Sequence, residues 1–251
     1  MRPRRLAALL LAGAVLTAVP APAQETERKP RETLFVGVDT SGSFRKDHDD
    51  AIAFLAWYLH GRLNGLGGLT QPRQLFVAAI GGQEVNEPKA FRPIHDFAGK
   101  DIARLEADLR KWYPPADTLT DFNAFFRQVA RVAKERNLIL SPITVLVVSD
   151  GVPDLPGVTA GSMALYQRID LTPLEYLSKN LTVRLTYASP KVGDYWRKHV
   201  PRQRVRFWAA EIEVMRSWRN QLMTGADPAD QARLWKWVRE NVDFRVRSRA
   251  L

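Results

Sequence analysis

Apolar residues along the chain fall into two alternating patterns. Short runs rich in Val, Ile, Leu and Phe occupy residues 33–39, 74–81, 143–149, 181–188 and 205–209. Several are apolar at nearly every position, as strands covered on both faces of a parallel sheet are. Between them, apolar residues recur at helical spacing over 47–63, 100–112, 121–136 and 173–179. Strand and helix in alternation predict an α/β fold: a doubly wound, mostly parallel open sheet of Rossmann-like form with helices on both faces. A last helix is expected with Asp227 as N-cap and Pro228 at its first position, running to about Asn241. It belongs to an expected C-terminal helical extension, 211–251, packed on a main domain of 33–210.

The start of the chain has a different pattern. Arg2, Arg4 and Arg5 precede a short apolar stretch from Leu6 to Val19, and Ala21-Pro22-Ala23 offers small residues at the spacing of a cleavage site. This predicts a secretory signal cleaved after Ala23. The alternative is retention as a membrane anchor, against which the stretch falls short of the roughly 20 apolar residues a spanning helix needs. Residues 24–32 are polar and read as a flexible lead-in. No later segment is long and apolar enough to span a membrane, so the mature chain is expected in the periplasm or outside the cell.

Charge and composition narrow the chemistry. The 251 residues suffice for one well-buried domain. Formal charge is +10, and removing the three arginines of the signal leaves 34 basic against 27 acidic residues, or +7. That balance favours acidic partners. The basic residues form no long runs, so nucleic-acid binding is not implied. With no cysteine, disulfides, thiolate–zinc sites and cysteine nucleophiles are excluded. His48, His60, His95 and His199 are scattered without metal-ligand spacing.

The chemistry concentrates at the carboxyl ends of two apolar runs, where ligands bind in open parallel sheets. "LFVGVDTSGSF" ends its run at Asp39 and continues into Ser41, Gly42 and Ser43; "ITVLVVSDGVPD" ends at Asp150. A carboxylate at the end of a buried strand is costly without compensation, and two near each other repel. A cation between them answers both problems. Ser41, Ser43 and Thr120, in "DTLTDFNAFF", add neutral oxygen ligands. A set of oxygens alone favours a hard ion, Mg2+ first and then Mn2+ or Ca2+.

These motifs resemble those of von Willebrand factor type A (VWA) domains. Asp39-Thr40-Ser41-Gly42-Ser43 matches the DxSxS motif, Thr120-Asp121-Phe122 is similar to the second-loop threonine, and Ser149-Asp150-Gly151 to the third-loop aspartate. The resemblance covers about residues 33 to 210, with the motifs in the family's order. One departure is Pro114-Pro115-Ala116-Asp117 where the family often has glycines, which makes Thr118 a rival to Thr120. Thr120 is preferred because Asp121 can cap the helix that follows. The resemblance implies a metal-ion-dependent adhesion site. Ser41, Ser43 and Thr120 would hold the ion through hydroxyls, Asp39 and Asp150 directly or through water. One position would be left for a Glu or Asp carboxylate of a protein partner.

Other readings are weaker. A serine hydrolase needs a G-x-S-x-G elbow and a phosphate-binding loop needs G-x-x-x-x-G-K; both are absent. A metal-dependent hydrolase of phosphate esters lacks a His or Lys near the motifs to activate water. A metal-free scaffold is the remaining alternative. The acids of Lys46 to Asp50 ("KDHDD") are expected to open the first long helix, and Trp196, Trp208, Trp218, Trp235 and Trp237 to fill the core of the C-terminal third rather than an interface.

Overall fold

The most apolar runs lie at the centre of one sheet. The computed structural model of the chain describes residues 32–155, 157, 159 and 162–244; the expected signal and its cleavage site lie outside the described residues. In chain order come β1 (Thr33–Val38), α1 (Arg45–Asn64), β2 (Gln74–Ala79), β3 (Gly81–Gly82), β4 (Arg92–Pro93), α2 (Ile102–Trp112), β5 (Leu119–Thr120) and α3 (Phe122–Glu135). There follow β6 (Ile143–Val148), α4 (Met163–Gln167), α5 (Thr172–Glu175), β7 (Leu181–Ala188), α6 (Pro190–His199), β8 (Arg206–Glu211), α7 (Ile212–Arg216) and α8 (Ala232–Asn241). The main sheet has the order β4-β2-β1-β6-β7-β8, parallel throughout except for the antiparallel edge strand β4. The expected doubly wound α/β fold is what the chain adopts.

Alternation along β1 divides the core into two layers. Leu34, Val36 and Val38 face the layer of α1, α2 and α8, while Phe35 stacks on Phe76 in the core layer of the opposite face, which also holds Phe125, Val129 and Trp196. Helix α1 is buried over most of its circumference because α2 and α8 cover its outer side. Gly61 makes that cover possible, since a Cβ there would come within 2.5 Å of the Trp235 ring. Trp196, Trp218, Trp235 and Trp237 are core residues, whereas Trp208 is half-buried and bonds Asn241 O through its indole nitrogen. None of the described helices is long and apolar enough to cross a membrane.

Three boundaries differ from expectation. The run 74–81 ends as a strand at Ala79, and Gly81–Gly82 peel away to pair antiparallel with Leu119–Thr120. The helix expected over 173–179 stops after Glu175, whose buried carboxylate accepts the backbone N–H groups of Gln203, Arg204 and Val205. The last helix does not start at Pro228. Pro228–Asp230 form a single 3-10 turn, and α8 begins at Ala232. Gln231 separates them, its buried side chain bonding Met223 N, Met223 O and Ala226 O at 2.7, 2.9 and 2.9 Å. Three helices had no expectation: α4, α6 and α7. Of these, α6 opens on Ser189, which caps Val192 N at 3.3 Å, with Pro190 at the first position.

At the amino ends of the strands, Arg62 is 1% exposed. It donates to Tyr58 Oη at 2.8 Å, to the Asp243 carboxylate at 2.8 Å, to Thr70 O at 2.6 Å and to Glu32. Glu32 also accepts Thr144 Oγ1 at 2.6 Å, so one buried cation ties the first and last described segments to the sheet. Removing one member of a buried pair strands the other charge, so Arg62→Ala is expected to lose about 3–5 kcal/mol in urea denaturation. A loss below about 1 kcal/mol, the range of exposed pairs, would show that water already reaches the cluster.

Candidate metal centre

The parallel register of β1 and β6 sets the site. Val38 stands opposite Val148, and Asp39 N continues the ladder to Val148 O at 2.9 Å. Asp39 therefore leaves the sheet beside Ser149 and Asp150. Its carboxylate has no solvent exposure: Oδ1 accepts Ser41 N at 2.9 Å, and Oδ2 accepts Ser149 Oγ at 2.5 Å. The chain then turns so that the Ser41 and Ser43 hydroxyls lie 3.2 Å apart, Ser41 buried and Ser43 exposed. Asp150 is half-buried and accepts Val152 N at 2.9 Å. Gly151 follows at φ 76°, where a side chain would meet Leu185 at 2.7 Å, and its carbonyl accepts Trp196 Nε1 at 2.8 Å.

The loop of Thr120 is stitched to both others through its backbone. Thr120 pairs with Gly81 in the small sheet and exchanges two hydrogen bonds with Asp154, at 3.2 and 3.3 Å, on the loop after Asp150. Toward the first loop, Asp117 N donates to Thr40 O at 2.9 Å, Gly42 N donates to Asp117 O at 3.1 Å, and Thr40 Oγ1 donates to Asp117 Oδ2 at 2.5 Å. Thr120 Oγ1 is buried and has no hydrogen-bond partner. The rival Thr118 is exposed, with its hydroxyl 3.4 Å from Gly82 O. Asp121 caps α3, accepting Ala124 N at 2.9 Å, and its other oxygen accepts Asn86 N at 2.8 Å. Asp39, Ser41, Ser43 and Asp150 thus share one end of the sheet, and the loop of Thr120 is fixed against it.

Electrostatics here are unresolved by the protein itself. Burial pushes the Asp39 carboxyl above its usual range, only partly opposed by hydrogen bonds from Ser149 and Ser41. Burial also raises Asp150, to about 6, with the nearby Asp39 charge adding to the rise and Val152 N–H and Lys46 opposing it. No cluster of three or more acidic or histidine side chains able to hold a metal exists among the described residues. The donor set is instead two carboxylates with hydroxyls. That set fits a hard cation: two under-compensated acids, and a buried hydroxyl whose lone pairs have no donor.

Sequence reasoning missed four contributors. Ser149 lies within the third motif, but its bond to Asp39 follows only from the strand register. Asp117 carried no signal, lying in an irregular loop. Trp196 belongs to a helix that Ser189-Pro190 announces. Lys46 belongs to the run that opens α1, and its charge opposes the rise of the Asp150 carboxyl.

No family model and no curated protein matches the chain. Among solved structures, it is similar to proximal thread matrix protein 1 from the mussel byssus at 10% identity and TM-score 0.44, over 81% of this chain and 48% of that one. It is also similar to the SpRpn10 VWA domain, at 8% identity and TM-score 0.43, over 80% of this chain and 93% of that one. The manganese-loaded TRAP protein of Plasmodium vivax is 17% identical with TM-score 0.44, over 72% and 68%. The chain spans about half the length of the mussel protein. The open sheet described above stands on its own strand order, and likenesses this distant carry no argument about activity.

The raised Asp150 carboxyl has a consequence for stability. Between the unfolded value near 3.8 and the folded value of about 6, the folded state binds more protons than the unfolded one. Stability without metal therefore falls as pH rises across that window, by on the order of 3 kcal/mol. In chelator, Asp150→Asn should be the more stable protein at pH 7 and equal to wild type below about pH 4. Parallel stability curves for the two proteins across that range would mean that water already solvates Asp150.

Proposed function

We propose that this chain is an exported VWA-like protein that binds one divalent cation at Asp39, Ser41, Ser43, Thr120 and Asp150, and through it an acidic side chain of a protein partner. The observation that carries the reading is the buried, unpartnered Thr120 hydroxyl in loops tied to a fully buried Asp39. Hydroxyls and few carboxylates suit Mg2+ or Mn2+, with Ca2+ as the larger alternative. Bound by mostly neutral oxygens, such an ion keeps much of its charge and favours an anionic oxygen from outside. Export, with cleavage after Ala23, is part of the same proposal, as is the absence of a membrane span from the mature chain.

A hydrolytic role finds less support. His48 is buried on α1, with its Nε2 unpartnered and its pKa lowered by burial, and it packs behind Phe44 at a ring separation of 6.4 Å. Lys46 lies open to solvent, without the apolar surroundings of catalytic lysines.

Manganese titration followed by electron paramagnetic resonance tests the site. One ion should bind wild type, none should bind Asp39→Ala, and Thr120→Ala should bind about tenfold more weakly. At a hundredfold excess over Kd the ion should add about 2.7 kcal/mol to wild-type stability. Acidic peptide added to the manganese protein should lower water-proton relaxation as a carboxylate displaces water. Equal manganese binding by wild type and Asp39→Ala would place the cation elsewhere. Unchanged relaxation would reject the carboxylate partner.

A further inference from the structure

Helix α1 begins with two cations, Arg45 and Lys46. This is the end of a helix where the backbone dipole favours anions, so the placement is locally unfavourable. Local rules broken without local compensation tend to mark functional positions. Compensation is available in the sequence: Asp49 and Asp50 lie four residues on from Arg45 and Lys46, at the spacing of helix ion pairs. Both acids are engaged elsewhere. Asp49 is held by Arg110 of α2. Asp50 accepts Arg219 Nε at 2.8 Å, Tyr187 Oη at 3.0 Å and Trp218 Nε1 at 3.1 Å. Asp47, the acid of the first turn, pairs with Arg216 at 2.6 Å.

Arg45 and Lys46 are thus left exposed. Arg45 makes one hydrogen bond, from Nη2 to Pro115 O at 3.3 Å, which lays it along the loop of Thr120. Lys46 has no ion pair within 4.0 Å among the described residues and follows Ser43 by three positions. Both cations therefore stand exposed two and three residues after Ser43, with Arg45 turned toward the loop of Thr120. The second sign of a ligand here is the buried Thr120 hydroxyl without a partner.

We infer that Arg45 and Lys46 form a second anion contact beside the metal centre, so that the partner presents a run of acidic residues rather than one isolated carboxylate. The inference rests on the metal-dependent reading above for the first contact only. An acidic peptide segment is the occupant that fits: its first carboxylate goes to the cation, and its neighbours reach the guanidinium and ammonium groups beside it. Arg45 retains most of its donors for bidentate contact with a carboxylate. The positive balance of the mature chain, +7, acts in the same sense at longer range.

The test compares a short labelled Gly/Ser peptide carrying one glutamate with another of the same length carrying four. Binding is read by fluorescence anisotropy, with manganese and with chelator. Wild type should bind the second about fivefold more tightly per glutamate at low salt, with the preference shrinking as salt rises. Arg45→Gln/Lys46→Gln should lose the preference while binding manganese as tightly as wild type or more so, since a cation near Asp150 has been removed. A wild type without preference, or a double variant that keeps it, overturns the inference. Manganese binding is measured separately, so failure of the metal reading shows as absent resonance broadening. In that case a preference in chelator that vanishes in the double variant still upholds the cationic contact, and its absence rejects it.

Discussion

A carboxylate with no access to water, at the end of a strand with no cation of its own, is the constraint around which this structure is arranged. Asp39 is held by one backbone N–H and one serine hydroxyl. Neither carries charge, and burial still pushes its carboxyl upward. The surrounding devices serve to keep it there. The β1–β6 register brings Ser149 to it, and Asp117 joins the loop of Thr120 to Thr40 and Gly42. Gly81 leaves room for that junction, since a Cβ would lie 2.5 Å from Thr40 Oγ1. Trp196, from the other core layer, fixes the carbonyl of Gly151. A polar cluster of this kind is rigid because each loop is held by the other two.

How much of this was legible in the chain depended on the range of the interaction that decides each feature. The five main strands and their sheet class follow from local apolar runs, and the structure places all five. Asp39 and Asp150 were legible because each ends such a run. Boundaries failed where a distant polar partner overrode local pattern. Gly81 left β2 because Thr120 offers a ladder, and α8 was cut short because Gln231 spends its side chain on Met223 and Ala226. Helix α6 has a readable Ser-Pro start, although it is less apolar than the longer helices. Asp117 and the i,i+4 acids of α1 were not readable in principle, since what matters about them is which arginine or hydroxyl from another element reaches them first.

Helix α1 joins two ends of the molecule with opposite electrostatic solutions. Its twenty residues span about 30 Å. Near one end, Arg62 sits 1% exposed and is matched by Glu32, Asp243 and the Tyr58 hydroxyl, so that the chain neutralises its own buried charge. At the other end the buried acid lacks any such match, while two cations stand exposed a few residues away. The first and last described segments are tied down at the Arg62 end, which leaves the opposite face clear of them.

That contrast bears on why a chain would keep Arg45 and Lys46 so close to Asp39 without letting them neutralise it. Asp39 lies below the surface of the loops, with no exposure, whereas Arg45 and Lys46 start from exposed positions at the beginning of α1. An arginine placed to pair with Asp39, as Arg62 pairs with Asp243, would stabilise the fold and fill the space beside Asp39 and the Ser41 and Ser43 hydroxyls. Under the proposed reading, a small external ion would satisfy the carboxylates from within, and the exposed cations would remain outside to meet an anion. Stability and ligand capacity therefore compete for the same few positions on α1. At residues 45 and 46 the chain has settled that competition against local helix stability, which is the physical content of reading this end of the sheet as a binding surface.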